Sequence, residues 1–204
     1  MKIKIQLAVL VTILTGLAFF FSQYFQTGTQ LERGLVSVSG GRPLPDFTLV
    51  DQRNESFSLE NVRGRPVILF FGYTNCPDVC PLAMRKISES LKALPRPGAS
   101  FAVIFITVDP VRDVPERLAE WVARYYPDTI ALTGDIEELR RVWSLYGAAR
   151  SEDYEAVSSS GETYYVSHSA VIYVADRNHI LRYILTPEMT VEEIRDTLSM
   201  VLRQ

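Results

Sequence analysis

The chain has 204 residues, a formal net charge of −3, two cysteines and two histidines. Two cysteines are too few for a disulfide scaffold or an all-thiolate zinc site, and the slightly acidic balance leaves no basic footprint for nucleic acid. Hydrophobic residues make up 47% of the sequence, which is enough for a core and too much for a disordered chain.

Residues 5–21 (IQLAVLVTILTGLAFFF) carry no charge. This run reaches the short end of the ~17–25 apolar residues that span a bilayer. Lys2 and Lys4 precede it, and Phe19, Phe20, Phe21, Tyr24 and Phe25 cluster at its far end. Basic residues stay on the cytoplasmic side and aromatic residues favour the interface. A cleaved signal peptide has the same basic start and apolar core, but the bulky FFF end without an A-x-A site favours an uncleaved anchor. The sequence therefore predicts a transmembrane anchor over 1–26 with the remainder exported. Residues 27–42 are rich in Gly, Ser and Thr and read as a linker. One domain follows over 43–204.

Within that domain, residues 47–50 and 56–58 flank DQRNE, the pattern of a hairpin with a polar turn. PVILFF (66–71) and FAVIFITV (101–108) are unbroken apolar runs, as in buried central strands. Between them Ala83, Ile87, Leu91 and Leu94 recur at helical spacing. Helices are predicted over 114–126, with Pro115 in the first turn, and over 136–146, capped by Asp135. A short strand over 129–132 separates them. Residues 150–162 are polar and read as a loop or an irregular hairpin. Strands over 169–174 and 179–184 form a hairpin, and a helix over 191–202 starts at a Thr190/Glu193 capping box. A β-α-β unit followed by β-β-α is the thioredoxin-like α/β arrangement, a mixed sheet flanked by helices. The hairpin at 47–58 extends it, and the helix and strand over 114–132 are an insertion.

Both cysteines fall in one stretch, FFGYTNCPDVCP, between a buried strand and a helix. Cys76 and Cys80 are four apart, so on a helix their Cα atoms lie about 5.4–6 Å apart on one face. That spacing suits a disulfide or two thiolates on one ion, and a helix N-terminus favours thiolates. A bridge closing so short a loop would stabilise little, which argues for function over an inert disulfide. Two sulfurs do not close a metal site. The candidate third ligands are His168, His179, the methionines and carboxylates such as Asp78. His179 reads as a solvated turn residue, whereas thioredoxin-like topology packs the segment of His168, just before the hairpin, against the cysteine loop. Two thiolates with an imidazole suit Cu(I), Cu(II) or zinc, and spacing alone does not choose between them.

Four segments carry a more specific signal: FGYTNCPDVCP (71–81), ITVDPVRD (106–113), LTG (132–134) and YVSHS (165–169). Together they resemble the Sco/SenC family of membrane-anchored, copper-binding, thioredoxin-like proteins. The resemblance runs from about Pro45 to the last helix. It implies a copper site of Cys76, Cys80 and His168, holding Cu(I), Cu(II) or both. It also implies work in cytochrome c oxidase assembly, at the dinuclear copper centre of subunit II. Family members act there as copper donors, as thiol-disulfide reductases of the target cysteines, or as both, and in the second case Cys76 and Cys80 are the catalytic pair. The implied partners are oxidase subunit II, other periplasmic copper chaperones and thiol-disulfide oxidoreductases. The implied location is the inner membrane, single-pass, with the domain on the periplasmic side.

Two positions depart from the family pattern: Ser167 stands where Asp is common, and Asn75 where His is common. Three residues between the cysteines, against two in thioredoxin-like exchange enzymes, favour metal holding over fast exchange. A peroxidase reading finds support at Pro45-Asp46-Phe47 but not in the residues before Cys76. Asp109, Pro110, Arg112 and Asp113 read as a group in which an Asp/Arg pair caps the next helix and holds the loop, with docking or support behind the metal ligands as the lesser alternative. Tyr73 reads equally as a shield for the sulfurs or as aromatic filler.

Overall fold

The computed structural model describes residues 34–95, 101–148 and 166–203. The expected anchor over 1–26 and the polar loop over 150–162 lie outside the described residues. Among the described residues no helix is long and apolar enough to cross a membrane. In chain order the elements are β1 (Leu35–Pro43), β2 (Thr48–Asp51), β3 (Ser56–Ser58), a 3-10 turn (Leu59–Val62), β4 (Val67–Gly72), α1 (Val79–Lys92), β5 (Ala102–Thr107), α2 (Pro115–Ala123), β6 (Ile130–Thr133), α3 (Ile136–Tyr146), β7 (Ile172–Ala175), β8 (Ile180–Leu185) and α4 (Val191–Val201).

The eight strands form one mixed sheet in the order β1-β8-β7-β4-β5-β6-β2-β3. β4 and β5 are parallel neighbours at its centre and every residue in them is buried. Their unbroken apolar sequences follow from cover on both faces. Side chains alternate across a strand: Phe105 packs on Trp121 of α2 with ring centroids 5.0 Å apart, while Phe71 packs on Tyr146 of α3 at 5.3 Å. β4-α1-β5 and β7-β8-α4 form the thioredoxin-like core, and α1 packs against α4. α2 and β6 are inserted beside β5, and the β2–β3 hairpin extends the sheet beyond β6. The caps of α3 and α4 fall where their residue types place them. Asp135 accepts from the Glu137 N–H at 2.9 Å, and Thr190 and Glu193 form a reciprocal capping box.

Residues 35–43 differ from the linker expected over 27–42. They form β1, antiparallel to β8, with the register shifting between Ser37 and Arg42. The Gly40-Gly41 pair that suggested a tether supplies the positive φ angles of that bulge, +75° and +67°. At Gly41 a Cβ would lie 2.3 Å from Ile180 Cγ2, so the close approach requires glycine. Edge pairing uses backbone groups, and composition says little about it.

Candidate metal centre

Residues 73–78 turn the chain from the end of β4 into α1. The Cys76 N–H donates to the Tyr73 carbonyl at 3.2 Å and closes the first turn of this loop. Asp78 is the N-cap of α1 but makes no side-chain capping bond. The Cys76 sulfur accepts instead, from the Cys80 N–H at 3.4 Å. Both cysteines are free and buried, Cys80 at 0% exposure and Cys76 at 9%. The Cys80 thiol donates to the Cys76 sulfur. Opposed by burial but aided by the N–H groups of Cys80 and Asp78, that bond lowers the Cys76 thiol from its ordinary 9.0 to about 5. The same bond, with burial and the charge on Cys76, pushes the Cys80 thiol up. The pair therefore holds one thiolate and one thiol at neutral pH.

His168 precedes β7. The Ser169 N–H donates to the Ala148 carbonyl at 2.6 Å, which ties the segment to the end of α3. The imidazole Nδ1 lies 3.2 Å from the Val166 carbonyl, and Nε2 lies 3.5 Å from Cys80 Sγ. A carbonyl only accepts, so Nδ1 carries a proton, which leaves Nε2, on the Cys80 side, as the ring's ligand atom for a cation. Cys80 is thus the shared neighbour of a thiolate and an imidazole. Among the described residues no group of three or more His, Cys, Asp and Glu side chains is set as a metal cage. The structure holds the two contacts made through Cys80. The donor set fits a soft cation, because displacing the single Cys80 proton leaves two thiolates and an imidazole lone pair.

Asp78 lies exposed between the two cysteines, whereas His179, Met84 and Met189 are placed elsewhere. His179, at φ +57°, sits between β7 and β8 with Nε2 3.3 Å from the Val62 carbonyl. Met84 and Met189 are buried in the hydrophobic core. Tyr73 is a wall of the site: its ring stands edge-on to His168 with centroids 5.6 Å apart. Burial and the Cys76 charge push its hydroxyl up to about 12.

The profile of the SCO1/SenC family matches residues 40–203, four-fifths of the chain and every element of the site. The chain belongs to the SCO1/SenC family. An SCO2-like protein of Rickettsia prowazekii is 34% identical over 134 residues, which cover 65% of this chain and 63% of that protein's own length. The copper-bound structure of Bradyrhizobium japonicum ScoI superposes with a TM-score of 0.67 at 31% identity, covering 78% of this chain and 99% of that one. Copper-bound yeast Sco1 gives a TM-score of 0.70 at 27% identity, covering 79% of this chain and 89% of that one.

Three features of this SCO1/SenC site escape a reading of side-chain types. Gly72 ends β4 beneath the loop, and a Cβ there would lie 2.8 Å from Cys80 Sγ. Its lack of a side chain admits the sulfur. The orientation of His168 comes from the Val166 main chain, so Ser167 need not supply a carboxylate. The segment Asp109–Asp113 holds the loop, as expected, but does not cap α2, whose N-cap is Val114 with Pro115 following. Arg112 pairs with Asp109 and lies 5.7 Å over the Tyr73 ring. Asp113 turns back onto Thr74, two residues before Cys76.

The thiol pair has a direct readout. Iodoacetamide added to the reduced, metal-free chain is expected to modify Cys76 first and leave Cys80 untouched. Because the Cys76 value is lowered to about 5, the thiolate is depleted below that pH and full above it. The alkylation rate therefore rises through pH 5 and levels off. A midpoint near the ordinary 9.0, or modification of Cys80 first, would contradict this assignment.

Proposed function

We propose that this protein carries copper as cargo on Cys76, Cys80 and His168 and delivers it to the dinuclear copper site of cytochrome c oxidase subunit II during oxidase assembly. The observation that carries the reading is the Cys80 Sγ–His168 Nε2 contact of 3.5 Å beside the low Cys76 thiol. The copper-bound forms of the Bradyrhizobium and yeast relatives support it. Two thiolates and one imidazole satisfy soft Cu(I), and the imidazole also accommodates Cu(II). Taking up the cation costs the Cys80 proton, so uptake weakens as pH falls. We place the protein at the inner membrane through residues 1–26, with the domain on the periplasmic side, because Lys2 and Lys4 precede the apolar run. Other periplasmic copper chaperones would load the site, and thiol-disulfide oxidoreductases would keep Cys76 and Cys80 reduced.

The same sulfurs support a second reading, reduction of the target cysteines. A thiolate at Cys76 beside a protonated Cys80 is an attacking and resolving arrangement. His168 distinguishes the two, since exchange between sulfurs needs no imidazole ligand. Deletion of the gene is expected to lower oxidase activity, with added copper restoring part of it. Under the copper-carrying reading, His168→Ala fails to complement the deletion, as do Cys76→Ser and Cys80→Ser. Full complementation by His168→Ala with failure of both cysteine variants would replace that reading with the reductase.

A further inference from the structure

We propose that Asp113 is a positioning residue that holds the Cys76 loop in its copper-ready arrangement through Thr74. The inference rests on the copper-carrying reading of the Cys76, Cys80 and His168 site and goes beyond it to a residue 33 positions C-terminal of Cys80.

Asp113 is at 0% exposure, with Thr107 at 0% and Thr74 at 9%. Its carboxylate accepts from the Thr74 N–H at 3.1 Å, from the Thr74 hydroxyl at 2.5 Å and from the Thr107 hydroxyl at 2.7 Å. Each hydroxyl proton has its direction fixed. Thr107 Oγ1 already accepts from the Asp109 N–H at 2.9 Å, and Thr74 Oγ1 from the Arg117 Nε–H at 2.8 Å. Each hydroxyl has one proton to give and an ionised carboxylate has none, so both protons go to Asp113. Asp113 is therefore surrounded by donors alone, an arrangement that suits an acceptor-only carboxylate and conflicts with an amide.

A buried carboxylate needs compensation for the hydration it has lost. Here the compensation comes from hydrogen bonds, with no ion pair to Asp113 within salt-bridge distance among the described residues. Helix capping does not explain the residue, because Val114 is the N-cap of α2. The bonds converge on Thr74, and from Thr74 the chain reaches Cys76 through Asn75 alone. Arg117 closes the outer side of the same loop by donating to both Thr74 and the Asn75 side chain. One residue further back, Arg112 lies over Tyr73, whose ring packs on His168. The strand-following segment Asp109–Asp113 thus grips the two residues that adjoin the sulfurs and the imidazole.

The test uses the full-length reduced chain in detergent, as wild type, Thr74→Val, Thr74→Ser and Asp113→Asn. Thr74→Val removes the linking hydroxyl while keeping the side-chain shape, and Thr74→Ser keeps the hydroxyl. Two quantities are read: copper affinity by competition with a chromophoric chelator, and the pattern of iodoacetamide alkylation of the metal-free chain at one pH. Loss of such outer partners typically costs about 10–100-fold in metal affinity. We expect a loss of that size for Thr74→Val and Asp113→Asn, with Cys80 becoming open to alkylation and Thr74→Ser behaving as wild type. Wild-type affinity and an unchanged alkylation pattern in Thr74→Val would overturn the proposal. If Asp113→Asn does not fold, the Thr74→Val and Thr74→Ser pair decides alone. If wild type takes up no copper, the copper-carrying reading fails, while the alkylation pattern still supports or overturns the positioning role.

Discussion

Replacing Cys80 by alanine is expected to remove copper binding and to return the Cys76 thiol toward its ordinary range. Cys80 is the hub of the site, since its sulfur lies 3.5 Å from His168 Nε2 and its thiol gives the bond that lowers Cys76 most. Losing a partner outside the ligand shell already costs about 10–100-fold in metal affinity, and losing one of two sulfur donors costs more. The second consequence needs no metal. Without the thiol donor, burial again dominates at Cys76, and its pH midpoint for alkylation moves up from about 5 toward 9.0. The fold tolerates the change, because deleting one buried sulfur atom leaves a small cavity worth about 1 kcal/mol. A Cys80→Ala chain that kept wild-type copper affinity, or whose Cys76 still titrated near 5, would show that Cys80 is not the hub.

Gly72→Ala is the second large effect. An alanine Cβ would meet Cys80 Sγ at 2.8 Å, a Phe105 ring carbon at 2.9 Å and a Phe70 ring carbon at 3.1 Å. All three neighbours are fully buried. Relief requires either the sulfur to move, which opens the site, or the central rings to move, which strains the sheet. Overpacking of this kind costs about 1–3 kcal/mol, and a domain of this size loses about 2–4 °C in Tm per kcal/mol. Thermal melts of the reduced chain should fall by several degrees, and copper affinity should fall with them. Gly134→Ala is the control, since its Cβ would meet the end of the Leu49 side chain at 3.2 Å and the Val50 N and Leu49 Cα at ordinary distances of 3.8 and 3.9 Å, far in sequence from the cysteine loop. Equal, small effects for the two variants would contradict the steric role given to Gly72.

The parts of the fold that depend on side-chain period were legible in the sequence. The apolar runs PVILFF and FAVIFITV read as covered strands, and Asp135, Thr190 and Glu193 marked helix starts, all of which the structure reproduces. β1 was hidden because its pairing with β8 runs through backbone groups across a Gly40-Gly41 bulge. At the site, the spacing of Cys76 and Cys80 was readable directly, whereas spacing left His168 one candidate among several, raised above the others by the thioredoxin-like topology that packs its segment against the cysteine loop and by the resemblance. The supports were not readable. Thr74 and Asp113 are 39 residues apart and meet only because β4 and β5 are parallel neighbours that end at one sheet edge. The group that orients His168 is the Val166 carbonyl, which every residue type carries and which no pattern of side chains announces.

Copper K-edge X-ray absorption on the reduced full-length chain, loaded with one equivalent and compared with His168→Ala, tests the central claim most directly. Two sulfurs and one imidazole are expected around the copper in wild type, with the imidazole signature lost and both sulfurs retained in His168→Ala. A wild-type shell without sulfur, or one unchanged by His168→Ala, would contradict the assignment of Cys76, Cys80 and His168 as the copper-holding residues.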